Sequence, residues 1–323
     1  MGEWDVPHAG HMESADHIYF QNMTMNEVKE RLKKDDTIII PVGSTEAHGA
    51  HACFGEDTFL VTRMAEAVAR RTGCTVAQPI WYGSHPYHHL GMPGTVIVPE
   101  QIFCSLISCV IAGFWNAGFR KQILLNGHGQ EWVIPTAIHQ FNKKYQVPAI
   151  LLNLNWYYAI PQYLKTKDQG GSFDTPFIHA DETETSFSLA LFPEMIHMED
   201  AQDTSGSPFL PKGHMDLSGN VYQNPIPWYC AVGNVGLEVI MTPEGVVGKA
   251  TLASADKAMP GLEALLDYIV KLHDDILERF PPGALPPTDK MTMRPAEEID
   301  ALLKGPLNGG RHLYTVAYPP CEM

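Results

Sequence analysis

The sequence predicts an α/β protein, a three-layer α/β/α sandwich around a mainly parallel central sheet. Two observations carry that prediction. Short apolar, β-branched runs at residues 37–42, 75–80, 122–125 and 149–154 read as buried strands. Segments with helical spacing of apolar residues separate them, and strict strand–helix alternation gives a parallel sheet covered on both faces. Crossovers in such a sheet are expected to be right-handed. A third observation concerns chemistry. Histidines and carboxylates follow two of the strands directly and recur at residues 179–184.

The elements follow in order. Thr24 with Glu27 makes a capping box for a helix over residues 25–34. The first strand, 37–42, ends at Gly43 and Ser44. A helix opens at Asp57, carries Leu60, Met64, Ala67 and Val68 on one face, and stops at Gly73. After the strand at 75–80, a loop over 81–95 holds His85, His88, His89 and the turn Gly91-Met92-Pro93-Gly94. An apolar helix runs over 99–117, and the strand at 122–125 ends in Asn126-Gly127-His128-Gly129-Gln130-Glu131. A helix over 133–145 and the strand at 149–154 complete the alternation. Residues 179–191 read as a polar start leading into a helix. Residues 193–234, rich in Gly, Pro and Asp, form a long irregular excursion of the kind that serves as a lid or interface arm. A strand at 236–241, a helix over 253–280 and a short helix at 295–303 in a Pro-rich tail are expected after it.

Composition narrows the function. The 323 residues suit one large α/β domain or two small ones, and a 45% hydrophobic share supplies a core. A net charge of −15 argues against nucleic-acid or anionic-membrane partners. No apolar run approaches the roughly 20 residues of a membrane span. The N-terminus shows no basic region followed by an apolar core, so no secretory leader is expected. Six widely spaced cysteines without a CxxC pair read as reduced thiols, consistent with the cytoplasm.

The chemistry gathers on three segments. The stretch at 43–57 places Glu46, His48, His51 and Asp57 just past the carboxyl end of an apolar strand, where open parallel sheets bind ligands. Two carboxylates and two imidazoles are costly to bury for packing alone. Their oxygen and nitrogen donors suit zinc, manganese or iron. His128 follows a second strand, and His179, Asp181, Glu182 and Glu184 form the third group. A scattered polar surface loop is the alternative for any one segment; a parallel sheet brings all three together. His51 reads as a supporting residue, and the loop histidines mostly as satisfied ones, with His89 the best placed to line a pocket. Trp156-Tyr157-Tyr158 follow a strand and suit either a pocket wall or the core. Trp228 and Tyr229 are candidates to close over a substrate.

The motifs resemble those of the creatininase (creatinine amidohydrolase) family. Residues 43–57, GSTEAHGAHACFGED, resemble its GSxEQHGPHLPLxxD motif. Gly91-Met92-Pro93-Gly94-Thr95 resembles its GxPGT loop, Asn126-Gly127-His128-Gly129 its NGHG, and residues 179–186 its HAGExETS. Gly245-Val246-Val247-Gly248 with Ala253 matches the closing segment. The resemblance covers about residues 25–278. It implies a creatininase-like fold and two divalent cations, zinc or manganese with iron as a further choice, held by Glu46, His48, Asp57 and His128, with Asp57 bridging. Creatininase places a metal-binding Glu two residues after the NGH histidine, where this chain has Gln130. The missing carboxylate is therefore assigned to Glu182, with Glu184 orienting a neighbour. His179 matches the family's acid/base. His89, Thr95, Gln130 and Trp156 are expected to bind substrate.

The resemblance implies a hydrolase of a small polar ring compound. The leading expectation is ring opening of the inositol-derived diketone 3-dehydro-scyllo-inosose to a keto-gluconate; a cyclic amidohydrolase is the runner-up, and a non-catalytic metal-containing binding protein the alternative of another class. The expected organisation is an arm at 1–20, a hydrolase domain at 21–280 and an extension at 281–323 packing on the domain or on a neighbouring subunit. A homo-oligomer, a hexamer in the family pattern, is expected.

Overall fold

A computed structural model describes residues 17–85, 89, 91–205 and 244–316. The predicted strand at 236–241, Trp228, Tyr229, His88 and most of the 193–234 excursion lie outside them.

Four strands form one parallel sheet: β1 (Thr37–Val42), β2 (Thr75–Val76), β3 (Lys121–Asn126) and β4 (Ile150–Asn155), in the order β2-β1-β3-β4. The β1–β3 register runs from Thr37 opposite Lys121 to Val42 opposite Asn126. All six residues of β1 and of β3 are buried. A strand covered on both faces has no solvent side, which is why these segments read as continuous apolar runs rather than alternating ones.

The helices divide between the faces. α1 (Met25–Leu32) starts at the Thr24–Glu27 capping box. α2 (Glu56–Thr72) follows β1 and ends at Gly73, whose φ of 83° forms a left-handed cap. α3 (Glu100–Asn116) and α4 (Val133–Tyr145) flank β3 in sequence, and the short α5 (Trp156–Ala159) follows β4. α6 (Glu182–Leu191) and α7 (Ala255–Arg279) pack together, and both pack on α2. One core joins Leu60, Met64 and Val68 of α2 to Phe187 of α6 and Leu265 and Ile269 of α7. The other joins Phe103, Ile107 and Ile111 of α3 to Ala137 and Phe141 of α4. The sheet between them is the middle layer of three.

One expectation changes. The strand expected over 75–80 is regular only at Thr75–Val76. Pro79 lacks the N–H that a ladder needs, yet pairing resumes beyond it, with Ile80 N donating to Pro41 O at 3.0 Å and Gly43 N to Ile80 O at 3.0 Å. The tail also folds back on the domain. Arg294 is buried and donates to the carbonyls of Tyr145 and Val316. Leu302 of α8 (Ala296–Lys304) and Leu313 enter the α3–α4 core.

Strand order reverses between β1 and β3. Ligands in open α/β sheets bind in the crevice at such a switch point, outside the strands' carboxyl ends. The loops leaving β1 and β3 carry Glu46, His48 and His128, and Asp57 lies in the first turn of α2 that follows the β1 loop.

Candidate metal centre

The backbone permits close approach of these loops at two glycines. A Cβ on Gly43 would fall 2.5 Å from the Thr58 backbone, and one on Gly127 would fall 2.3 Å from Asp57 O. Without side chains there, the start of α2 lies directly against both strand ends, and Asp57 comes into the crevice.

Glu46, His48, Asp57, His128 and His179 converge, each at most 5% exposed. His128 Nδ1 lies 3.0 Å from Glu46 Oε1 and 3.1 Å from Asp57 Oδ2. The other Asp57 oxygen, Oδ1, lies 3.5 Å from His48 Nε2. Asp57 thus presents one oxygen to each imidazole, the arrangement a bridging carboxylate needs. Ser44 Oγ donates to Asp57 Oδ2 at 2.6 Å and fixes its orientation.

His48 carries the most telling geometry. Its Nδ1 lies 3.3 Å from the carbonyl of Glu46, which sets the proton on that nitrogen. Its Nε2 then faces carboxylate oxygens of Glu56 at 3.0 Å, Asp57 at 3.5 Å, Glu46 at 3.7 Å and Glu184 at 3.8 Å. A bare lone pair surrounded by carboxylates is favourable only with a proton or a metal cation between them. Burial opposes charge on His48, but the carboxylates of Glu56 and Asp57 outweigh it and hold the imidazolium well above the usual range. His128 is held up in the same way, against its burial, by Glu46 and Asp57. Burial pushes the Glu184 carboxyl well above the ordinary value, and the neighbouring Glu56 adds to this.

His179 donates from Nε2 to Ala47 O at 2.9 Å. That bond leaves Nδ1 as the acceptor nitrogen, 4.0 Å from both Glu46 Oε1 and Glu184 Oε2. His179 thus lies at the cluster, beside Glu46 and His48. Ala180, next to it, adopts φ 47°, a left-handed conformation uncommon for a residue with a Cβ. Its N–H donates to Glu184 Oε2 at 2.6 Å, so the strained turn ties His179 to the first turn of α6. Asp181 caps that helix through the N–H groups of Thr183 and Glu184.

The structure does not bring Glu182 to the cluster. Its carboxylate turns away, accepting from the N–H groups of Asp174 at 2.8 Å and Thr175 at 2.9 Å and pairing with Lys257. Glu184 is the α6 carboxylate that faces His48. Residues two apart on a helix point about 200° apart, so only one of this pair can face the crevice. Glu56, which the sequence did not single out, also belongs to the cluster. It opens α2 beside Asp57, contacts His48 and accepts from Ser188 Oγ. An acidic residue there reads equally well as a partner for the helix dipole.

The expected substrate residues fare differently. His89 is at the cluster, with Nδ1 2.6 Å from Glu46 Oε2. Gln130 is engaged with protein. Its Oε1 accepts from Ser84 N at 3.0 Å, and its Nε2 donates to Gly43 O at 3.2 Å and Asn126 Oδ1 at 3.0 Å. It ties three loops together rather than facing a ligand. Thr95 Oγ1 accepts from Ala47 N at 3.2 Å and so braces the Glu46 loop. Trp156 is fully buried against Phe177 and Phe187, and its indole N–H finds no acceptor among the described residues. His51 Nε2 meets Thr185 Oγ1 at 3.0 Å, and burial lowers its pKa to about 4.

A parallel α/β sheet with buried imidazoles and carboxylates at its switch point defines a metal-centre class of α/β protein. The family model described as "Creatininase: Creatinine amidohydrolase" matches residues 21–273, and the chain belongs to that family. It is 64% identical to the 3-dehydro-scyllo-inosose hydrolase of Thermotoga maritima, over 94% of this chain and 98% of the relative. It is 23% identical to the creatinine amidohydrolase of Pseudomonas putida, over 82% of this chain and 98% of that one. A manganese form of creatininase superposes with a TM-score of 0.64 at 23% identity, covering 82% of this chain and 99% of that one.

Proposed function

We propose that the chain is a divalent-metal-dependent hydrolase that opens 3-dehydro-scyllo-inosose to a keto-gluconate. The single observation that carries the metal reading is the charge inventory of the crevice. Glu46, Glu56, Asp57 and Glu184 are buried together, and among the described residues their ion pairs are all to histidine, with no lysine or arginine. Buried carboxylates need compensating cations, and this donor set of oxygen and imidazole nitrogen suits zinc or manganese. The substrate reading rests on the 64% identity to a hydrolase of that compound.

Two cations fit these residues, with Glu46 and His128 on one side, His48, Glu56 and Glu184 on the other, and Asp57 between. Glu184 takes the role first expected of Glu182. When bound, such a pair supplies a hydroxide at neutral pH and polarises a carbonyl. The protein's own part is positional and protonic. Ser44 and the Ala180 N–H hold Asp57 and Glu184 in place. His179 Nδ1 accepts a proton from the attacking water and delivers it to the ring carbon released when the C–C bond breaks. The buried Trp156 N–H is the candidate donor to a substrate oxygen. A homo-oligomer, a hexamer on the family resemblance, in the cytoplasm completes the proposal; a monomer mass by light scattering would contradict the assembly.

The test is a product assay on metal-loaded protein with 3-dehydro-scyllo-inosose, creatinine and a formamide. A keto acid from the inosose, lost on chelation and restored by zinc or manganese, is expected. Turnover of creatinine without turnover of the inosose would overturn the substrate reading.

A further inference from the structure

The loop leaving β2 contributes two imidazoles that the three strand-end motifs do not include. His85 Nδ1 lies 3.1 Å and His89 Nδ1 2.6 Å from the same oxygen, Oε2 of Glu46. The two nitrogens are 3.3 Å apart. His128 approaches the other Glu46 oxygen, and its ring centre lies 4.4 Å from that of His85 and 5.9 Å from that of His89. Within this group every residue offers a ligand atom within 4.8 Å of every other, and all four are buried.

The spacings of 3.0–3.3 Å approach those of a coordination shell, and the 2.6 Å between His89 Nδ1 and Glu46 Oε2 is shorter. Around a tetrahedral zinc with bonds of about 2.0–2.1 Å, neighbouring ligand atoms lie about 3.3 Å apart. Hydrogen bonding alone serves the arrangement poorly. Two imidazole nitrogens that meet at one carboxylate oxygen must each carry a proton to bond it, and two such N–H groups then face each other at 3.3 Å. A cation at their common focus removes the conflict. The loop is also braced to aim them, since Ser84 N, adjacent to His85, donates to Gln130 Oε1, and Val98 N donates to Gly83 O at 2.9 Å.

We propose that His85 and His89 are metal ligands, forming with Glu46 and His128 a nitrogen-rich cation position. The proposal rests on the metal-hydrolase reading and deepens it. His89 moves from the substrate to the metal, and His85 becomes a functional residue. Three imidazoles and one carboxylate favour zinc over magnesium or calcium.

The experiment measures zinc directly. Wild-type protein and His85→Ala are stripped, reloaded, dialysed against a weak chelator and analysed for zinc. The expected result is about two zinc per wild-type chain and loss of one in His85→Ala, with affinity at that position weaker by at least about 10²-fold. Unchanged stoichiometry and affinity in a folded His85→Ala overturns the ligand proposal and leaves the hydrolase reading standing. Wild-type protein that takes up no cation overturns both. X-ray absorption of zinc-loaded wild type needs no variant, and so decides the matter if His85→Ala fails to fold. Four ligating histidines (48, 85, 89 and 128) over two cations give an average of about two imidazoles per zinc. Two ligating histidines give about one, which overturns the proposal.

Discussion

The two edges of the sheet bury charge in opposite ways. At the amino edge each charge meets its opposite. Lys121, at the start of β3, is fully buried and pairs with Asp36, and its ammonium also donates to Pro281 O at 3.2 Å. His273 of α7 meets Asp35 at 2.9 Å. At the carboxyl edge, among the described residues, the ion pairs of four carboxylates are all to histidine. The first edge is complete within the protein. The second gathers negative charge and nitrogen donors around a space that suits cations. The same sheet thus separates a structural solution from a functional one by the length of a strand, six residues.

Breaking the amino edge tests its structural role. Lys121→Ala leaves Asp36 buried without its cation and should cost about 3–5 kcal/mol of stability. The metal content of protein that still folds should be unchanged. Denaturant titration beside zinc analysis checks this, and loss of metal without loss of stability would dissolve the distinction between the edges.

At the carboxyl edge the two glutamates of α6 sharpen the comparison. Glu184→Gln should lower activity by about 10²-fold or more, because it replaces an oxygen donor that faces His48 with an amide, and should weaken one cation. Glu182→Gln disturbs the Lys257 pair at the rim and should leave metal stoichiometry intact. Elemental analysis of the two after dialysis against a weak chelator decides between them; metal loss in Glu182→Gln alone would reverse the assignment.

The smallest effect is a pH dependence. Burial lowers the His273 pKa, but Asp35 and Asp274 outweigh it, and the net shift is upward. Stabilisation from a raised histidine is fully present below its unfolded value, about 6.5, and fades as pH rises through the folded one. The melting-temperature gap between wild type and His273→Gln should therefore be widest near pH 5.5 and narrow in mild alkali. A gap that widens with pH would show that the pair is not ionic.

Much of this was legible in the chain. Apolar runs mark β1, β3 and the half-buried edge strand β4, and the carboxyl ends of β1 and β3 point to Glu46, His48, Asp57 and His128. What failed was orientation. Glu182 and Glu184 share one helical turn, and which of them faces the crevice depends on how α6 docks on α2 and α7, which local spacing does not encode. Trp156 opens a short helix after β4, and only the packing of Phe177 and Phe187 shows that its ring is buried while its N–H finds no acceptor among the described residues. The engagement of Gln130 is not legible locally, because Gly43 and Ser84 lie on the loops after β1 and β2 and Asn126 ends β3. His85 sits in a loop without periodicity, where nothing in the sequence separates a ligand from a satisfied surface histidine.

The Gln130 clamp has an evolutionary consequence. Its amide nitrogen meets two acceptors, Gly43 O and Asn126 Oδ1. A glutamate at 130, the residue creatininase carries there, would set carboxylate oxygen against both. A one-letter change between the two designs is therefore a poor step by itself: it breaks the bonds to the loop after β1 and to Asn126 at the end of β3 at the moment it adds a ligand. Exchange between the designs calls for compensating substitution around the two acceptors, Gly43 O and Asn126 Oδ1. Ancestral or chimeric sequences that mix them should be recovered only in matched combinations.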